Sequence, residues 1–176
     1  MNKRELPIAK LSDLRDGEMK QVSASGVEIL LARVNGECYA VGAHCTHYGA
    51  PLVDGILSGN RIVCPWHHAC FDVKTGDLEE PPAFDSLPRF DVKVDGDQII
   101  VYVPENGPGR RAPAMSKRDV LDERTFVILG GGAAGYMAAQ TLREDGFTGR
   151  VVMITREGRL PYDRPNLSKD YLAGHA

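Results

Sequence analysis

Two short stretches of the chain carry side chains that bind metal. The first reads Cys45-Thr46-His47 and the second Cys64-Pro65-Trp66-His67, with sixteen residues between them. Each supplies one thiolate and one imidazole. An all-cysteine set would suit an ordinary ferredoxin or a zinc ribbon. Mixed loops suit two chemistries: a mononuclear Cys2His2 zinc site, or a 2Fe-2S cluster with two thiolates on one iron and two imidazoles on the other. Zinc fingers usually group Cys with Cys and His with His, whereas here each loop supplies both kinds. On the cluster reading Cys45 and Cys64 bind one iron and His47 and His67 the other, while a Cys2His2 zinc site stays open on these four residues alone. His44 and His68 flank the ligands, but the Cys-x-His and Cys-x-x-His spacings leave them out, and His68 reads as a surface histidine. Neutral imidazoles donate less negative charge than thiolates, which raises the potential relative to an all-cysteine cluster.

A second signature lies further on. Gly130, Gly132 and Gly135 follow the apolar run Thr125–Leu129 and open an Ala-rich helical pattern over about 133–144. Gly146 stops that pattern, and 150–155 reads as a second apolar strand. Strand, glycine turn, helix, strand is the setting of a dinucleotide-binding fingerprint. Its glycines serve the tight turn, the approach of a pyrophosphate and helix-on-strand packing, while the helix N-terminus favours phosphate charge. Such sites place an acid after the second strand for the ribose hydroxyls, and Glu157 lies 22 residues beyond Gly135.

The residues around the metal-binding pairs resemble the two cluster loops of Rieske proteins. They read Cys45-Thr-His-Tyr-Gly-Ala-Pro-Leu52 and Cys64-Pro-Trp-His-His-Ala-Cys-Phe-Asp-Val-Lys-Thr-Gly76. The resemblance implies a mainly β fold and a proline-bearing loop over the cluster, here Glu79–Ala83. Respiratory members carry an extra Cys in each loop, joined by a disulfide; the matching positions are Ala50 and Trp66. They also place a Ser and a Tyr that hydrogen-bond cluster sulfur and a ligand thiolate, where this chain has Ala69 and Phe71. His68 departs from the glycine common at its position. Fewer hydrogen bonds to sulfur lower the potential, so the resemblance implies a ferredoxin-type cluster near the lower end of the Rieske range. Cys38 and Cys70 then read as small core side chains.

Residues Glu157–Tyr171 resemble the opening of FAD-dependent pyridine-nucleotide reductases, among them the ferredoxin reductases of oxygenase systems and the apoptosis-inducing-factor-like proteins. In those, the acid binds the FAD ribose and an Arg and a Lys lie against the flavin; by match these are Glu157, Arg164 and Lys169. Together the resemblances imply an oxidoreductase in which hydride passes from NAD(P)H to FAD and single electrons from FAD to the cluster, then to an unidentified acceptor. The alternative is a stand-alone Rieske ferredoxin serving a partner oxygenase or reductase.

The elements that must position these residues follow from patterning. Strands are expected at 28–34 and 37–41 around an Asn35-Gly36 hairpin turn, at 60–63 and 70–73 on either side of the second ligand loop, and at 90–94 and 98–103 around an Asp95-Gly96 turn. Residues 1–105 thus form a mainly β Rieske domain of small antiparallel sheets. Residues 106–124, rich in Pro, Gly and mixed charge, read as a linker, whose flexible spread would be about 20–25 Å. Residues 125–176 form the N-terminal βαβ portion of an FAD/NAD(P)-binding domain. A doubly wound sheet needs more strands than this to cover both faces, so the α/β segment is expected to be incomplete: a fragment, a truncated product or half of a split protein.

Bulk properties fit this division. The 176 residues are 43% hydrophobic with a net charge of −3. Residues 1–105 hold 10 basic and 16 acidic side chains, and 106–176 hold 11 and 8. Neither balance suits nucleic-acid binding. No apolar run follows the N-terminal charges as in a secretory signal, and none approaches membrane-spanning length. The expected setting is cytoplasmic.

Overall fold

The computed structural model describes residues 3–109 and 111–174, in two compact units, residues 1–113 and 114–176. The first unit contains strands β1 (Lys3–Lys10), β2 (Met19–Ala24), β3 (Val27–Val34), β4 (Glu37–Gly42), β5 (Ile56–Ser58), β6 (Arg61–Val63), β7 (Cys70–Asp72), β8 (Leu78–Glu80), β9 (Arg89–Asp95) and β10 (Gln98–Pro104). They form a six-stranded antiparallel sheet, ordered β1-β10-β9-β4-β3-β2, and a four-stranded sheet, ordered β5-β6-β7-β8.

Strand β3 shows how the sequence builds both cores. Its side chains alternate faces, as strand geometry requires. Leu30, Ala32 and Val34 point into one apolar cluster with Ile62, Phe71 and Val73 of the smaller sheet, and this cluster contains Cys45 and Cys64. Ile29 and Leu31 point the other way, into a cluster with Leu14, Phe90, Ile99 and Val101. The ligand loops therefore rest on a packed floor between two sheets.

Turn chemistry fixes the registers. Asn35 and Gly36, with φ of 54° and 81°, close the β3–β4 hairpin where the sequence places it. Ser25 and Gly26 close β2–β3 in the same way. The β9–β10 turn differs from expectation: Asp95 pairs with Gln98, so the two turn residues are Gly96 and Asp97. The Asp97 carboxylate accepts hydrogen bonds from the Ser12 N–H and hydroxyl, tying the turn to the chain after β1. Glu79 and Glu80 also differ, lying in β8 rather than in the loop, and both pair with Arg61 across the small sheet.

The second unit holds β11 (Thr125–Leu129), α1 (Ala133–Glu144) and β12 (Arg150–Ile154), followed by a 3-10 turn over Arg164–Ser168. Strands β11 and β12 pair in parallel, from Thr125 opposite Arg150 to Leu129 opposite Ile154. Leu129 is 86% exposed and Val127 61%. The segment read as a linker is bonded at both ends: Arg111 to the first unit, and Ser116 and Asp119 to Arg143 and Thr148 of the second. Among the described residues, no helix is long and apolar enough to cross a membrane.

Candidate functional site

The two ligand loops are built alike. In the first, the Cys45 N–H donates to the Ala50 carbonyl at 2.8 Å and the Gly49 N–H to the Cys45 carbonyl at 2.9 Å. In the second, the Cys64 N–H donates to the Ala69 carbonyl at 2.9 Å and the His68 N–H to the Cys64 carbonyl at 3.2 Å. Both loops turn through the left-handed region at the residue four after the cysteine, where φ is 75° at Gly49 and 63° at His68. Glycine is the natural occupant of that region, so His68 fills a position that the loop geometry would give to glycine. Its side chain is exposed.

Depth divides the ligands by type. Cys45 and Cys64 are 3% and 1% exposed, and the Cys64 thiol is close enough to raise the pKa of Cys45. His47 is half-buried and His67 exposed, with ring centroids 4.8 Å apart in an edge-on arrangement. Tyr48 packs against His47 at 4.3 Å. The structure thus brings all four predicted ligands into two pairs, thiols beneath and imidazoles above. A mononuclear zinc site would draw all four side chains to one point. Two pairs fit a binuclear cluster, whose irons each take two protein ligands and share bridging sulfides.

Electrostatics fit the same reading. Burial, opposed by the His47 N–H and reinforced by the Cys64 thiol, pushes the Cys45 thiol up to about 12. The N–H groups of His47 and Tyr48 point at its sulfur and favour the thiolate. At the positions where the resemblance puts hydroxyl donors in respiratory proteins, Ala69 and Phe71 are fully buried and apolar. Ala50 is buried and Trp66 is 55% exposed. Cys38 is half-buried in β4 and Cys70 is buried in β7, both as free thiols.

Sequence reasoning missed what holds the loops from behind. The Thr46 hydroxyl, between Cys45 and His47, donates to the Asp85 carbonyl at 2.5 Å. This bonds the first ligand loop to the segment after the Pro81-Pro82 pair, whose Ala83 and Leu87 are fully buried. Thr46 is visible in the motif, but its partner lies 39 residues away.

In the second unit, the Gly130 N–H donates to the Ile154 carbonyl at 2.8 Å, extending the parallel ladder into the glycine turn. A Cβ on Gly135 would lie 2.0 Å from the Gly130 carbonyl oxygen, so only glycine lets α1 approach the end of β11. A Cβ on Gly132, at the start of the helix, would meet nothing within 4 Å. The three glycines thus separate into a close-packing residue, Gly135, and two that leave open space at the start of the helix. Gly131, which the fingerprint leaves unassigned, packs toward Thr155. Glu157 and Arg164 are brought together as an ion pair at 2.5 Å, and Arg164 lies 5.1 Å from the centre of the Tyr162 ring. Lys169 ends the 3-10 turn and has no comparable contact with this pair.

Comparison with known proteins agrees with both halves. Residues 4–91 match the Rieske [2Fe-2S] domain and residues 124–176 the pyridine nucleotide-disulphide oxidoreductase family. Apoptosis-inducing factor 3 of Homo sapiens is 42% identical over 172 residues, 94% of this chain but 28% of that protein. The ferredoxin component of the naphthalene 1,2-dioxygenase system of Pseudomonas aeruginosa is 33% identical over 101 residues, 57% of this chain and 97% of the relative. The ferredoxin of carbazole 1,9a-dioxygenase from Nocardioides aromaticivorans IC177 superposes with a TM-score of 0.53 at 30% identity, covering 57% of this chain and 97% of its own. The cluster is therefore the cofactor of the first unit, its work is ferredoxin-type electron transfer, and the second unit is consistent with FAD in a longer protein. The chain belongs to the Rieske [2Fe-2S] domain family, and a segment matching the pyridine nucleotide-disulphide oxidoreductase family follows that domain.

Proposed function

We propose that the chain is the electron-accepting end of an NAD(P)H-dependent flavoprotein, in which Cys45, Cys64, His47 and His67 hold the cluster and the 130–135 turn holds FAD phosphates. The observation behind this is one polypeptide with thiols beneath paired imidazoles and, after a short segment, an open glycine cradle on a parallel βαβ unit. When bound, FAD and the cluster would supply the redox chemistry that divides a hydride's electron pair into single-electron transfers. The protein's part is to position and insulate. The apolar floor of Leu52, Ile62 and Phe71 keeps water from the thiolate side, while exposed His67 opens the imidazole side to an electron acceptor. Gly132 leaves room for the pyrophosphate, and Glu157 would accept ribose hydroxyls once Arg164 turns toward the flavin. The cytoplasm is the proposed compartment.

Apoptosis-inducing factor 3 extends well past the region matched here. The test is therefore made on the protein that carries the whole flavin domain, by adding NADH or NADPH without oxygen. Loss of cluster absorbance in step with nicotinamide oxidation is expected. A cluster that dithionite reduces but neither nicotinamide does would favour the carrier reading, which the near full-length match to dioxygenase ferredoxins supports.

A further inference from the structure

Arg111 lies in the Pro/Gly-rich stretch after β10, yet it is one of the most heavily bonded side chains of the first unit. Its Nη1 donates to the Thr75 carbonyl at 2.7 Å and the Leu87 carbonyl at 2.8 Å, and its Nη2 to the Asp77 carboxylate at 2.5 Å. Its own carbonyl accepts from the Ser86 N–H at 2.9 Å. A planar guanidinium can serve three acceptors at once, whereas a lysine ammonium is a point donor on a flexible stem. The Leu87 N–H also donates to the Gly76 carbonyl at 2.7 Å, so the 75–77 turn and the 85–87 segment are tied together around the arginine.

The other side of the 85–87 segment faces the cluster loop. Asp85 accepts the Thr46 hydroxyl, and Thr46 stands between Cys45 and His47. Leu87 is fully buried in the core that contains both ligand cysteines. The segment is thus gripped between a ligand loop and an arginine from the exit chain. We infer that Arg111 is a positioning residue for the cluster: it sets the segment that holds the Cys45–His47 loop, and makes the exit chain and the cluster's surroundings mechanically one.

Gly76 gives a second handle on the same contact. A Cβ there would lie 2.7 Å from the Leu87 carbonyl oxygen and 2.9 Å from Arg111 Nη1, with φ at +75°. Gly96 shares the positive φ, +60°, but its Cβ would meet nothing within 4 Å. G76A therefore displaces the contact, while G96A reproduces only the backbone strain.

The test uses the cluster-loaded full chain. R111Q should raise the rate of limited proteolysis within 106–118 by about tenfold, as expected when charge-assisted bonds holding a segment are lost. It should also move the EPR lines of the reduced cluster and change the reduced-to-oxidised ratio at fixed potential about threefold, roughly 30 mV for one electron. R111K should restore only part of this, and G76A should reproduce the EPR change while G96A leaves it untouched. Wild-type EPR lines and potential in both R111Q and G76A would overturn the inference, even with faster proteolysis. Should R111Q fail to retain the cluster, G76A against G96A decides. The spectroscopic arm rests on the Rieske reading, while proteolysis reads the Arg111 bonds alone, so the two fail separately.

Discussion

At the residue scale, the loops separate ligand identity from tuning. The four ligands stand out in the sequence because thiolate and imidazole at fixed short spacing have few other uses. The tuning residues are legible only by what they lack. Phe71 is buried and has no donor to offer sulfur, so F71Y, adding a hydroxyl where respiratory proteins have one, should raise the potential by roughly 60 mV, one tenfold step in a one-electron equilibrium. Redox titration of wild type and variant checks this. His68 is different: its left-handed φ of 63° is invisible in the sequence, since only the loop's hydrogen bonds impose it. H68G should stabilise the chain by about 1 kcal/mol in thermal unfolding. Cys45 adds a pH dependence. Its thiol, pushed up to about 12 mainly by burial, is protonated in the cluster-free chain throughout the neutral range. Iron must displace that proton, so loading strengthens as pH rises toward 12 and weakens as it falls, by about tenfold per pH unit for each proton displaced. Titrations with iron and sulfide at pH 6.5 and 8.5 measure it, the Cys45 proton alone accounting for roughly a hundredfold in affinity.

At the scale of elements, legibility follows burial pattern and turn chemistry. Strands β3, β4, β10, β11 and helix α1 appear in the sequence nearly where they lie, because each has a strong period or a decisive turn. Strands β1 and β2 went unread. They are the two edges of the large sheet, where half-exposed, mixed side chains replace clean alternation, and β1 carries Pro7 with a register shift beside it. Arg111 was hidden for a related reason: a Pro/Gly-rich setting reads as linker, while its partners at 75–87 are distant in sequence. The glycine turn permits a sharper test. G135A should unfold the βαβ unit's packing at a cost of about 1–3 kcal/mol, since the added methyl overlaps the Gly130 carbonyl. G132A should leave helicity unchanged, its Cβ meeting open space, but weaken FAD binding in the protein with the complete flavin domain. Circular dichroism and flavin titration of the two variants separate packing from ligand approach.

At the scale of the molecule, an acidic cluster-bearing unit is followed by a more basic dinucleotide-type unit. The first resembles nearly the full length of dioxygenase ferredoxins, while the chain spans 28% of apoptosis-inducing factor 3. The architecture keeps one function in each unit: the β layers bury thiolates and expose imidazoles, and the βαβ segment offers an open helix start. Everything in the account depends on what the four ligands hold. The most direct measurement is metal and sulfide analysis of the purified chain together with redox titration followed by EPR. About two iron and two labile sulfides per chain are predicted, with a midpoint near the lower end of the Rieske range, about −150 mV. One zinc per chain without sulfide, or a midpoint of about +300 mV, would contradict the account.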